Sequence, residues 1–277
     1  MNLFYRNQRN AELTAKFWNK DLSKPDWYEI KNQGDDQQEI IIYDVIGWPY
    51  NDVQYLVRAI AEMKGKQILT RINSPGGDVF DGMALFNAFR SHNAKVTMRV
   101  EGFAASIASV IAMAGKEVQA YKNTMMMIHK SWIVAVGNEF ELQDITDVLH
   151  KVDQNIQDVY TDKTKLGKKE VADMMKNETY LNAKEMKDKG FIDAIVDGKS
   201  VKAEFDLSIF QNAPESFLNS GGTLTEREIE TALRDAGASR TFAKSVAAGG
   251  RNTYDQRDAE SDLKSLILKI KEGLKND

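Results

Sequence analysis

Short β-rich runs alternate with amphipathic ones along most of the chain. Residues 26–31 and 39–46 are rich in β-branched and aromatic side chains and flank the polar stretch Asn32-Gln33-Gly34-Asp35-Asp36, which predicts a hairpin. From Asn51 onward, Val53, Leu56, Val57, Ile60 and Met63 recur at helical spacing. Residues 67–72 predict a strand ending at Asn-Ser-Pro-Gly-Gly, and 78–90 a helix with Met83, Leu85, Phe86 and Phe89 apolar. Residues 95–100 alternate as a strand; 104–114 are apolar all round, the mark of a buried helix. Residues 116–121 and 125–128 are strand-like again. Strand-then-helix repetition of this kind predicts an α/β fold.

A long helical pattern follows over residues 139–163, where Leu142, Ile145, Leu149, Val152, Ile156 and Val159 form one narrow apolar stripe. Such a stripe is expected to pack on the chain's own body, although its length raises a subunit contact as the alternative. Two shorter helical segments lie around 177–181 within 168–189, and 191–196 predicts a last strand. Four regions result: an N-terminal arm (1–24), a main domain (25–210), a polar Gly-Gly-containing linker (211–222) and a C-terminal extension (223–277). The extension carries helical patterns at 225–236 and 262–274.

Composition narrows the function classes. Hydrophobic residues make up 42%, enough for a core, and 37 basic against 41 acidic residues leave a net charge of −4. That balance lacks the basic excess of a nucleic-acid or anionic-membrane binder; the extension itself holds 10 basic and 10 acidic side chains. Without cysteine there is no thiolate nucleophile, disulfide or Cys-based metal site. The longest apolar run, residues 103–115, is short of the roughly 18 residues that cross a bilayer, and the N-terminus has no secretory apolar core. A soluble, cytoplasmic protein is expected.

Three histidines confine the search for a general base. His92 sits at a helix end, where capping explains it, and His150 lies on the polar face of the long helix. His129 ends the apolar strand 125–128 and would emerge at a rim; the alternative is a core histidine satisfied by one backbone bond. Ser106 closes Gly102-Phe103-Ala104-Ala105-Ser106, leading into the apolar helix, so its hydroxyl is expected in the first helical turn. Unpaired N–H groups there stabilise a developing oxyanion. A core serine bonded back to the helix is the other reading, and it is the one given to Ser109. Gly76-Gly77 permits positive φ and close approach of another backbone, without the lysine frame of a phosphate loop.

Taken in order, SPGGD (74–78), GFAAS (102–106), MIHK (127–130) and ETYLNAKEMKDKGFID (178–193) resemble the Clp protease proteolytic subunit family over residues 40–200. The resemblance implies a crotonase-like, Clp-type spiral of ββα units with a long helical handle, and a ring-forming serine peptidase. It places the nucleophile at Ser106, the general base at His129, the oxyanion donors at the Gly77 and Ile107 amides, and substrate pairing beside Gly76 and Gly77. The third triad member falls on Glu178, where the family usually has aspartate; Asp193 is the competitor and matches a structural helix-closing pattern. No metal or cofactor is implied. Phe103, Lys130 and Ser131 also depart from the family pattern.

The aromatic N-terminal segment, WIVAVGN at 132–138 and the extension beyond 210 resemble the head maturation (prohead) proteases of tailed bacteriophages. The implied substrates are scaffold or capsid proteins, the chain's own tail among them, in a host cytoplasm or an assembling procapsid. A general Clp-type subunit with a separate ATPase, a crotonase-type acyl-CoA enzyme and a catalytically idle scaffold protein are the competing expectations.

Overall fold

Burial alternates along the central strands, and this fixes which face of the sheet is covered. In β3 (Gln67–Ser74) Ile68, Thr70 and Ile72 are buried, and in β4 (Lys95–Ala105) Val96, Met98 and Val100 are, while the residues between them are less covered. The structure is a computed structural model describing residues 27–32, 36–47, 53–133 and 138–198, with Arg240 and Lys244. The arm at 1–24, the linker at 211–222 and both extension helices, 225–236 and 262–274, therefore fall outside the described residues.

Eight strands form one sheet. β1 (Tyr28–Asn32) and β2 (Gln37–Tyr43) make the predicted antiparallel hairpin, and β2, β3, β4, β5 (Glu117–Tyr121) and β8 (Ala194–Val196) run parallel. The hairpin's second strand stops at Tyr43 rather than Ile46, because Ile46 leaves β2 and bridges to Gly77. At β4 the sheet divides. Thr97–Val100 pair with β5, whereas Phe103–Ala105 pair with β6 (Met125–Ile128), which in turn carries antiparallel β7 (Thr179–Asn182). This fork brings the end of β4 beside the end of β6.

Six helices are described. α1 (Val53–Glu62) buries Val53, Leu56 and Ile60, the stripe expected from its spacing. α2 (Val79–Ser91) starts at Asp78, whose carboxylate accepts the Asp81 N–H, and packs so closely on α3 (Ile107–Ala112) that a methyl group at Gly82 would lie 2.1 Å from Ile107. All six residues of α3 are buried. α4 (Glu139–Lys163) opens with a capping box between Asn138 and Glu141, followed by α5 (Lys168–Lys176) and α6 (Ala183–Lys189).

Four expectations need correction. The apolar run 104–114 is not all helix: Ala104 and Ala105 continue β4, paired with Met126 and Met127, and α3 starts at Ile107. A buried strand and a buried helix share the same apolar run, so pattern alone could not divide it. The interruption between the helices of 168–189 is a strand, β7, and the last strand spans only Ala194–Val196, with Phe191 and Ile192 buried ahead of it. The stripe on α4 packs on the chain's own body only in its C-terminal half, around Val152, Ile156, Val159 and Tyr160. Towards the N-terminus of the stripe Leu142 is exposed (40%) and Ile145 and Leu149 are half-buried, and beside the stripe the helix exposes Phe140 (80%) and Val148 (44%).

On the less covered face of the sheet lies a charged cluster. Arg71 bonds Glu39 at 3.0 Å and Glu101 at 2.7 Å, and Tyr43 and Tyr121 donate to the same Glu101 carboxylate, whose side chain has no exposure. Burial pushes Glu101 up, but the bonds from Arg71 and the tyrosines outweigh it and hold the carboxyl below the usual range. Among the described residues, no helix is long and apolar enough to cross a membrane.

Candidate active site

Ser106 occupies the junction between β4 and α3. It is the N-cap of α3, one residue ahead of the first helical turn in which its hydroxyl was expected, with φ 53° and ψ −130°. A positive φ in a residue with a side chain is held only where its surroundings enforce it, at a cost of about 1–3 kcal/mol. Here the Ser106 N–H bonds the Met127 carbonyl at 2.9 Å, continuing the β4–β6 pairing into the turn. Ala104 and Ala105 ahead of it are both fully buried.

His129 follows β6 directly and is 7% exposed. Its Nε2 lies 2.8 Å from the Ser106 Oγ, so the ring engages a serine hydroxyl, and the reading of a core histidine satisfied by one backbone bond is incomplete. Burial pushes the imidazole down from 6.5 to about 4, opposed by the negative charge of Asp153. At neutral pH the ring is uncharged and able to accept a proton.

The acids around this pair separate by position. β6 and β7 pair Met125 with Asn182 and Ile128 with Thr179, so His129 and Glu178 are the residues immediately beyond the last pair. Glu178 has φ 45°, a positive value it shares with Ser106 and Asp44 among the described non-glycine residues. Asp193 is engaged elsewhere: its Oδ2 accepts the Val118 N–H at 2.7 Å and the Lys163 ammonium at 2.6 Å, tying β5 to α4. This fits the structural reading of Asp193. Asp153, on α4, was not singled out from the sequence. Its Oδ1 accepts the Ser131 N–H at 2.8 Å and the Ser131 hydroxyl at 2.6 Å, and its Oδ2 lies 3.6 Å from the Lys130 ammonium. No local motif could reveal it, because helix packing creates the contact.

Gly76 and Gly77 have φ of 102° and 150°, and space demands glycine at both. A Cβ on Gly76 would sit 2.7 Å from the Ser106 Cβ and 2.9 Å from the Ala105 carbonyl oxygen; one on Gly77 would sit 2.0 Å from the Ile46 oxygen. The Ile46 N–H donates to Gly76 O and the Asp78 N–H to Ile46 O, both at 2.8 Å. In a parallel bridge of this form the residue between, Gly77, turns its own N–H away from Ile46. Ile107, as the first residue of α3, carries an N–H that the helix itself does not use. The Ile46 bridge and the α3 hydrogen bonds thus leave the Gly77 and Ile107 N–H groups out of their own pairing.

The other histidines stand apart. His92 caps α2, with Nδ1 accepting the Ala94 N–H at 3.0 Å and Nε2 lying 3.2 Å from the Met63 carbonyl, and His150 is exposed on α4.

A mixed α/β sheet thus brings a serine hydroxyl and an imidazole together where β4 forks. The Clp protease family model matches residues 23–199, and the chain belongs to that family, which is a peptidase family. It is 32% identical over 141 residues to an ATP-dependent Clp protease proteolytic subunit of Ligilactobacillus salivarius, covering 50% of this chain and 72% of the relative. The corresponding protein of Deinococcus radiodurans is 29% identical over 134 residues, covering 48% and 66%. That of Oltmannsiellopsis viridis is 28% identical over 137 residues, covering 49% and 70%.

Proposed function

We propose that the protein is a serine endopeptidase acting in bacteriophage head maturation, on scaffold or capsid proteins and on its own tail. The observation that carries the peptidase reading is the 2.8 Å contact between His129 Nε2 and Ser106 Oγ. In this mechanism neutral His129 takes the Ser106 proton as Oγ attacks the peptide carbonyl. Glu178 holds the tautomer and stabilises the imidazolium. The Gly77 and Ile107 amides receive the oxyanion, and loss of either donor raises the barrier by about 3–4 kcal/mol. His129 then returns its proton to the leaving amine, and water hydrolyses the acyl-enzyme by the same route. The substrate lies extended beside Gly76-Gly77, as an added strand. The chemistry requires neither metal nor cofactor.

A homo-oligomeric ring is part of the proposal, supported by the exposed apolar half of α4. The phage assignment draws on the aromatic N-terminal segment, the 132–138 stretch and the extension beyond 210. The likeness to ATP-dependent Clp protease proteolytic subunits favours a second reading, a subunit that receives substrate from a partner ATPase. Co-expression with the capsid and scaffold genes beside its own gene, wild type against Ser106→Ala, separates the two. Ordered cleavage of scaffold in the wild type alone supports head maturation; uncleaved capsid proteins, with degradation appearing only when an ATPase is added, favour the second reading.

A further inference from the structure

Ser109 and Tyr160 are not needed for proton transfer, yet they are joined to the candidate nucleophile. Ser109 Oγ donates to the Ser106 carbonyl at 2.5 Å and lies 2.7 Å from the Tyr160 hydroxyl. A serine has one proton to give, so with that proton on Ser106 O the Tyr160 O–H must donate to Ser109 Oγ. Tyr160 is 1% exposed and stacks edge-on against Phe191, with ring centroids 5.8 Å apart. The Ser109 N–H also reaches the Ser106 carbonyl, at 3.0 Å. That oxygen is thus held by two donors from one residue, backed by a third group on α4.

The Ser106 carbonyl and the Ile107 N–H belong to one peptide unit. Such a unit is planar and trans, so its C=O and N–H point in opposite directions. Fixing the carbonyl toward Ser109 therefore fixes the Ile107 N–H toward the opposite side of that peptide. We infer that Ser109 and Tyr160 are positioning residues, a two-hydroxyl relay from α4 that sets the orientation of the Ile107 amide as an oxyanion donor. Burial pushes the Tyr160 phenol well above its ordinary range, so it remains a donor at any working pH. The inference rests on the peptidase reading of Ser106.

The test is the kinetics of phosphonylation by diisopropyl fluorophosphate, whose phosphoryl oxygen needs the same donors and which requires no knowledge of the natural substrate. Tyr160→Phe and Ser109→Ala, each verified as folded and assembled by circular dichroism and light scattering, are expected to lower the maximal inactivation rate about tenfold, with the half-saturating concentration unchanged. The double variant should fall no further than Ser109→Ala alone, since both steps serve one relay. A purely structural role would lower the melting temperature and leave the rate of the folded fraction intact. A maximal rate within twofold of wild type in a folded Ser109→Ala or Tyr160→Phe variant, or a change confined to half-saturation, would overturn the inference. A wild type that takes no label removes the peptidase reading, and the relay with it.

Discussion

Lowering the pH tests how His129 is held. Its imidazole has an ordinary value of 6.5, and burial brings it to about 4 in the folded protein. Between these values the unfolded chain binds a proton that the folded one refuses. The His129 contribution to stability is therefore fully present above pH 6.5, drains away as pH falls toward 4, and changes no further below that. The slope is about 1.4 kcal/mol per pH unit inside the window and the total about 3 kcal/mol. Other carboxylates titrate in the same range, so the quantity to measure is a difference: urea unfolding of wild type against His129→Gln at half-unit steps from pH 7.5 to 4. Wild type should lose stability faster than the variant below pH 6.5, by up to about 3 kcal/mol. The rate of Ser106 modification should have its lower inflection near pH 4 to 5. Parallel stability curves, or an inflection at pH 6.5 or above, would show that the ring is not buried as a neutral base. Asp153→Asn removes a charge that favours the imidazolium, and should move the inflection lower still.

Gly76→Ala places a methyl group 2.7 Å from the Ser106 Cβ at a φ of 102°; labelling by fluorophosphonate should fall at least about a hundredfold, with about 1–3 kcal/mol of destabilisation by thermal unfolding. Arg71→Met leaves the fully buried Glu101 carboxylate without its cation; a loss of about 3–5 kcal/mol is expected by calorimetry, largely restored by adding Glu101→Leu. Glu178→Gln should lower peptide hydrolysis by orders of magnitude while Asp193→Asn lowers the melting temperature instead, because the Asp193 carboxylate is bonded to Val118 and Lys163. Phe140→Asp with Val148→Asp puts charge on the exposed half of α4 and should reduce the assembled mass by light scattering, with the monomer's circular dichroism unchanged.

What the chain revealed before folding depended on the range of the interaction. α1 was legible because Val53, Leu56 and Ile60 repeat at one helical face, and α4 because its period continues without interruption. His129 was legible as a polar residue closing an apolar strand. The turn at Ser106 was not, since the same alanines serve a strand or a helix, and pairing with Met126 and Met127 decided in favour of the strand. Glu101 follows the strand alternation of an exposed charge, yet Arg71 and two tyrosines on neighbouring strands enclose it. Asp153 and Tyr160 lay beyond local reading altogether: each meets its partner only because α4 folds back onto the segment after β6 and onto α3.

The most direct measurement is active-site labelling of the assembled wild type with a fluorophosphonate, followed by peptide mapping, beside His129→Ala and Ser106→Ala. The account predicts one modified residue, Ser106, with labelling lost in both variants. Label on another serine, or undiminished label on Ser106 without His129, would contradict it.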